Sequence, residues 1–150
     1  MADDDYRPHY GAQTKARKAA LDILFASDQR NRDFLDTLEE LRLVGDPPLR
    51  DFTVRLVEGV AGHLDAIDQR ISACLSERWT LPRMPAVDRN LARIATFEID
   101  YTDVPDATAI AEAVRLCGDL STDSSPGFLN GVLKSVAGSK PGQDTTNDQP

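Results

Sequence analysis

Apolar residues recur along most of this chain with the 3.6-residue period of an amphipathic helix. The clearest stripe follows Pro85 and consists of Val87, Leu91, Ile94 and Ala95. Further apolar residues lie on other sides of the same helix at Phe97, Ile99 and Tyr101. The segment 84–101 is therefore predicted to be a central helix with neighbours on several sides. Arg89 and Arg93 are one turn apart, so we expect one edge of this helix to reach the surface.

Six further segments show the same period, at about 14–28, 33–44, 49–60, 64–75, 107–118 and 125–137. Gly45 is predicted to close the helix before it as a left-handed cap, and Gly59 and Gly62 mark a break between two helices. No strand alternation appears over any useful length. The sequence thus predicts an all-α protein, a single compact bundle of about seven helices.

The ends of the chain lack a helical period. Residues 1–11 are expected to form a flexible lead-in, 12–137 the folded domain, and 138–150 a disordered tail without a single apolar residue. Before the central helix, the segment Trp-Thr-Leu-Pro-Arg-Met-Pro contains two prolines that prevent a helix from continuing. We expect Trp79 to anchor this turn in the core.

Charge is distributed unevenly along the chain. The net charge is -8, yet residues 6–21 carry about +4 and no acid. Cations at the beginning of the first helix oppose its macrodipole, and an anionic partner would relieve that conflict. The sequence leaves two interpretations open here, a localised anion site or a solvated helix face.

No residue pattern indicates catalysis, a metal or a cofactor. Cys74 and Cys117 lack metal-ligand spacing and are interpreted as small, reduced core residues. The loop from Asp119 begins like a calcium loop but has Ser124 and Asn130 where a glycine and a bidentate glutamate are required. We therefore expect a protein that is not an enzyme. No apolar run is long enough to span a membrane, so a cytoplasmic location is expected.

Three stretches of the sequence resemble one known family. They are ARKAALDILF, AVDRNLARIATFEI, and DVPDATAIAEAVRLCGDLSTDSSPGFLNGVL. Together they are similar to the NusB family of bacterial transcription antitermination factors, from about Lys15 to Ala137. Within them, Asp88 and Arg89 followed by the spacing of Arg93 and Ile94, and the Phe-x-Asn-Gly-Val-Leu motif from Phe128, are specific in combination.

The resemblance implies an RNA-binding function. Members of this family are all-helical and bind the boxA element of ribosomal RNA leader transcripts, best together with the small-subunit ribosomal protein NusE, within the transcription elongation complex. By position, the residues implied to face RNA are Lys15, Arg17, Lys18, Phe25, Arg93, Ser124 and Phe128. Asp88 matches an acidic position near the junction of RNA and NusE, which implies a contact to NusE. Because Thr14, Phe25 and Ser124 depart from residues frequent in the family, RNA affinity is expected to be weak or partner-dependent.

Two questions remain open at the level of sequence. The competing hypothesis is a helical scaffold that binds only proteins, and a homodimer that hides the basic helix is also possible.

Phe128 is expected to contact RNA rather than fill the core, because Leu129 and Leu133 offer a separate apolar stripe.

Overall fold

The computed structural model describes residues 10–121 and 125–140, and α-helices make up most of this part of the chain. In chain order the seven helices are α1 (Ala12–Arg30), α2 (Phe34–Val44), α3 (Asp51–Gly62), α4 (Leu64–Ala73), α5 (Ala86–Tyr101), α6 (Asp106–Leu120) and α7 (Ser125–Gly138). A 3-10 turn, Leu81–Arg83, precedes α5. The predicted all-α bundle of about seven helices is confirmed.

Local sequence signals account for several helix ends. Asp33 caps the beginning of α2, where its side chain accepts a hydrogen bond from the backbone N–H of Leu35. Gly45 ends the same helix with φ of 68°, the left-handed conformation that was predicted. The break between α3 and α4 falls at His63, beside the predicted Gly62.

Helix α5 is the centre of the bundle. It packs against α1, α3, α4, α6 and α7, and every residue from Leu91 to Ile99 is buried. The prediction of a central helix with neighbours on several sides is confirmed. The expectation of an exposed charged edge was wrong, because Arg93 is buried and Arg89 turns back to donate a hydrogen bond to the carbonyl oxygen of Met84.

The remaining helices complete one continuous apolar core. Helix α1 packs against α2, α3 and α5, and α6 and α7 pack against each other and against α5. The hydroxyl of Thr53 on α3 donates a 2.9 Å hydrogen bond to the carbonyl oxygen of Ala16 on α1. This hydrogen bond links α1 to α3 within the core.

Gly59 lies inside α3 and not at a helix break. A Cβ atom added there would collide with the ring of Phe97 on α5. That ring is buried and is stacked near His63 and Tyr101. The role of Gly59 is therefore to let α3 approach α5 closely.

The lead-in, the tail and the segment that contains Trp79 were each given a prediction from sequence. The structure describes the first two only in part. Tyr10, assigned to the flexible lead-in, donates a 2.7 Å hydrogen bond to Asp119 on α6. In the predicted tail, Lys140 forms an ion pair with Asp106 at 2.9 Å. Residues 1–9 and 141–150 lie outside the described residues. Trp79 is 38% exposed, so the expectation that it anchors its turn in the core was wrong.

None of the described helices is both long enough and apolar enough to cross a membrane.

We predict that Gly59→Ala destabilises the fold. Overpacking a buried site costs about 1 to 3 kcal/mol, which outweighs the gain of about 1 kcal/mol from the better helix propensity of alanine. Gly131→Ala in α7 is the matched control, since its new Cβ would meet no atom within 4 Å. Urea unfolding of both variants should show a lower midpoint for the first only. Equal midpoints would refute the close approach of α3 and α5.

Candidate nucleic-acid interface

One face of α1 points away from the core and carries most of the predicted α1 contacts. Lys15, Lys18, Asp22 and Phe25 follow one another at helical spacing, and each is exposed or half-buried. Lys18 forms an ion pair with Asp22 one turn later, with Nζ 3.0 Å from the carboxylate oxygen. Because both side chains are well exposed, this pair is weak and open to competition from another anion. We call Lys15, Lys18 and Phe25 the α1 face.

Arg17, predicted to face RNA, is directed into the bundle. It is 5% exposed, and its Nε and Nη2 atoms donate hydrogen bonds of 3.0 and 2.6 Å to the carboxylate of Glu98. A third donor, Nη1, lies 3.3 Å from Glu112, whose oxygen also accepts from Thr14 at 2.5 Å. Burial would lower the pKa of the guanidinium, but the hydrogen bonds and charges of the two carboxylates raise it. Arg17 therefore joins α1 to α5 and α6 and does not contribute charge to the surface.

Arg93 is likewise an internal connector. Its Nε and Nη2 atoms bind both oxygens of Asp68 on α4 at 2.9 and 3.0 Å. Its Nη1 atom donates to Asn90 and to Asp28 at 3.0 and 3.3 Å, and its guanidinium lies 5.7 Å from the ring centroid of Phe34. With its guanidinium held by Asp68, Asp28 and Asn90 and only 8% of the residue exposed, the geometry does not support an RNA contact by Arg93.

Asp88, predicted to contact NusE, is only 1% exposed. Its carboxylate accepts a 2.5 Å hydrogen bond from the hydroxyl of Ser121 at the end of α6 and a 3.7 Å contact from the thiol of Cys117. Ser121 lies 3.2 Å from the hydroxyl of Ser125, where α7 begins. The geometry thus gives Asp88 a different role from the predicted one. Its buried carboxylate is not accessible to a partner, and it fixes Ser121, which in turn lies against the first residue of α7.

Two of the predicted RNA-facing residues lie at or beside this connection. Ser124 is outside the described residues. Phe128 is half-buried in the first turn of α7, while Leu129 and Leu133 are fully buried on the neighbouring stripe. The ring of Phe128 packs against Trp79, with centroids 5.1 Å apart.

Sequence reasoning missed Trp79 and the carboxylates that bind the buried arginines. The signal for Glu98 and Glu112 was present as acids within apolar helical stripes, where a buried carboxylate requires a cation. For Trp79 the signal was weaker. Arg78 and Arg83 flank it in a proline-rich segment, a composition that also fits a simple turn.

We predict that Arg17→Met lowers the free energy of unfolding by about 3 to 5 kcal/mol, because it leaves the buried carboxylate of Glu98 without its cation. Lys15→Met, two residues earlier on the exposed side, should change it by less than about 0.5 kcal/mol. Urea unfolding at neutral pH measures both. If the two variants unfold at the same urea concentration, Arg17 is not the connector described here.

The two thiols should differ in reactivity. Burial and the negative charge of Asp88 raise the pKa of the Cys117 thiol to about 12, so the reactive thiolate is strongly disfavoured at pH 8. Cys74 is only half-buried. Titration with a chromogenic disulfide should modify one thiol quickly and the second slowly until the protein is unfolded, and Cys74→Ser should remove the fast phase. Two equal rates in the native protein would contradict the buried Asp88 arrangement.

Comparisons with known proteins agree on one family. A family model described as the NusB family matches residues 14–138. A transcription antitermination protein NusB from Nocardioides sp. is 50% identical over 131 residues, which cover 87% of this chain and 96% of that protein. One from Acidothermus cellulolyticus is 52% identical over 126 residues, covering 83% and 86% respectively.

Solved structures share the fold. The NusB of T. maritima superposes with a TM-score of 0.77 at 28% identity, covering 93% of this chain and 99% of that one. A structure of antitermination factors NusB and NusE in complex with dsRNA gives a TM-score of 0.72 at 22% identity, covering 83% and 95%, a likeness that concerns the fold alone. With the family model matching most of its length and relatives half identical to it, this chain belongs to the NusB family.

Proposed function

We propose that this protein is a transcription antitermination factor that binds boxA-type single-stranded RNA in ribosomal RNA leaders together with NusE. The proposal rests on sequence identity. This chain is 50% identical to a relative named transcription antitermination protein NusB, over 96% of the length of that relative. The function is one of binding and includes no catalytic step. It joins the transcription elongation complex, and since it acts on nascent transcripts it works in the cytoplasm.

The proposed RNA surface combines the α1 face with Phe128. Lys15 and Lys18 supply cations for phosphates, and Phe25 and Phe128 supply rings for bases. Single-stranded RNA suits such a surface because its unstacked bases can lie on aromatic side chains. A NusB of the same fold has been crystallised with NusE and double-stranded RNA, but its identity to this chain is low, so the surface is argued from the residues of this chain.

Arg17, Arg93 and Asp88 support this surface without contacting the ligand. The two arginines fix α1 and α4 on α5 through the carboxylates of Glu98 and Asp68, which determines the direction of the α1 face. Asp88 holds the end of α6 close to the beginning of α7, and therefore positions the turn that carries Phe128.

The alternatives receive less support. A helical scaffold that binds proteins alone is not favoured, because the relatives are named as antitermination proteins. A homodimer that hides a basic helix is not part of the proposal, since the one arginine in the basic start of α1, Arg17, is buried and already paired with Glu98 within the chain. Sedimentation at several concentrations would detect a dimer if one formed.

We predict that the protein with NusE binds a boxA-type RNA more tightly than a scrambled RNA of the same composition. Fluorescence anisotropy of labelled RNA, with and without NusE, measures both affinities. The logarithm of the affinity should fall with the logarithm of the salt concentration by about 0.7 for each phosphate neutralised. Lys15→Ala should reduce that slope by about 0.7 and leave the melting temperature unchanged.

Arg42→Ala is the matched control for charge. Arg42 is an exposed cation at the end of α2, beside Glu58 on α3, and its removal should leave the slope unchanged. Equal affinities for boxA-type and scrambled RNA, in both the presence and the absence of NusE, would refute the proposed function.

A further inference from the structure

Two aromatic side chains from distant parts of the sequence meet at the surface. The rings of Trp79, before α5, and Phe128, in the first turn of α7, have centroids 5.1 Å apart and planes inclined by 41°. We call this pair the aromatic corner. Tryptophan is on average one of the more deeply buried residues, yet Trp79 keeps 38% of its surface exposed. The corner therefore presents an ordered, accessible aromatic surface.

Positive charge accompanies the aromatic corner. The guanidinium carbon of Arg83 lies 5.8 Å from the centroid of the Trp79 ring, a cation–π distance. Its Nη1 atom donates a 2.9 Å hydrogen bond to the carbonyl oxygen of Arg78, which is also exposed. The segment 76–85 contains these two arginines and only one acidic residue, Glu77. The first turn of α7 contains no acidic residue. In a chain with a net charge of -8, this is a local reversal of sign.

The backbone around Trp79 is held in place before any ligand arrives. The N–H of Trp79 donates to the carbonyl oxygen of Ser76 at 3.0 Å, and that of Arg83 to Thr80 at 3.0 Å. Because the segment is already ordered by these turns, little conformational entropy is lost when a ligand binds to it. The aromatic corner thus has the rigidity expected of a recognition surface.

We propose that Trp79 is a base-contact residue: with Phe128 it holds one unpaired base of a bound RNA strand, while Arg83 binds a phosphate beside that base. The inference rests on the proposed RNA binding and extends it to residues outside the α1 face. A single-stranded nucleic acid matches the corner because each nucleotide offers both a flat π-face and a negative charge. The corner is also continuous with the α6–α7 connection, since Phe128 follows Ser125 by less than one helical turn.

The chain contains a single tryptophan, so its fluorescence reports on Trp79 directly. Titration of the protein with unlabelled boxA-type RNA should change the indole emission and saturate at the affinity that anisotropy gives. The same titration of Trp79→Phe provides the background, also when NusE is present. An emission that stays constant while anisotropy shows saturation would overturn the inference and leave the proposed function intact.

Substitutions give the second measurement. Trp79→Ala should weaken RNA binding about 5- to 150-fold, the range for the loss of one base–aromatic stack, and Trp79→Phe by less than about threefold. The matched control is Tyr101→Ala. Tyr101 is also an exposed aromatic residue, with 40% of its surface accessible, and it stacks on His63. It lies about 20 Å along α5 from Asp88, at the opposite end of that helix. Its RNA affinity should be unchanged. Circular dichroism of each variant at the titration temperature verifies that it is folded.

The outcomes separate the two proposals. If Trp79→Ala binds RNA as tightly as the unmodified protein, or weakens only the binding of NusE, the corner is not a base site and the inference fails. If the unmodified protein binds no RNA under any condition, the proposed function fails and the inference with it. A loss of affinity in Trp79→Ala that Trp79→Phe largely restores, together with the change in emission, supports the base contact.

Discussion

The burial of two charged side chains in α5 is the constraint on which the arrangement of the bundle depends. Glu98 and Arg93 both lie within the buried run of that helix, and removing an ion from water costs several kcal/mol unless an opposite charge meets it. Arg17 of α1 binds Glu98, and Asp68 of α4 binds Arg93. Asp28, at the other end of α1, also reaches Arg93. Helix α1 is therefore fixed to α5 by ion pairs near both of its ends.

The two attachments of α1 also determine what it shows to solvent. Because a helix has 3.6 residues per turn, directing Arg17 and Asp28 towards α5 turns Lys15, Lys18 and Phe25 away from it. Arg17, one of the cations of the basic segment, therefore lies inside the protein, where Glu98 and Glu112 neutralise its charge. The surface charge available to an anion is smaller than the sequence suggests, but its direction is defined by the buried pairs.

A third buried charge, Asp88, organises the other end of α5. Asp88 accepts a hydrogen bond from Ser121, and the hydroxyl of Ser121 lies beside that of Ser125, so the beginning of α7 is linked to Asp88 through the end of α6. The first turn of α7 then brings Phe128 against Trp79 from the segment before α5. The aromatic corner exists because three elements converge near the same helix terminus.

The helical period, the caps and the family motifs are local properties, and they determined the all-α fold, the central position of α5 and the family. Which side of a helix is covered depends on neighbours that are distant in sequence. For this reason Arg17, Arg93 and Asp88 could be recognised as charged but not as buried, and Trp79 as aromatic but not as exposed. Only the tertiary structure decided these four positions, because the free energy of a charge or a ring depends on the groups packed around it and not on the residues beside it in the chain.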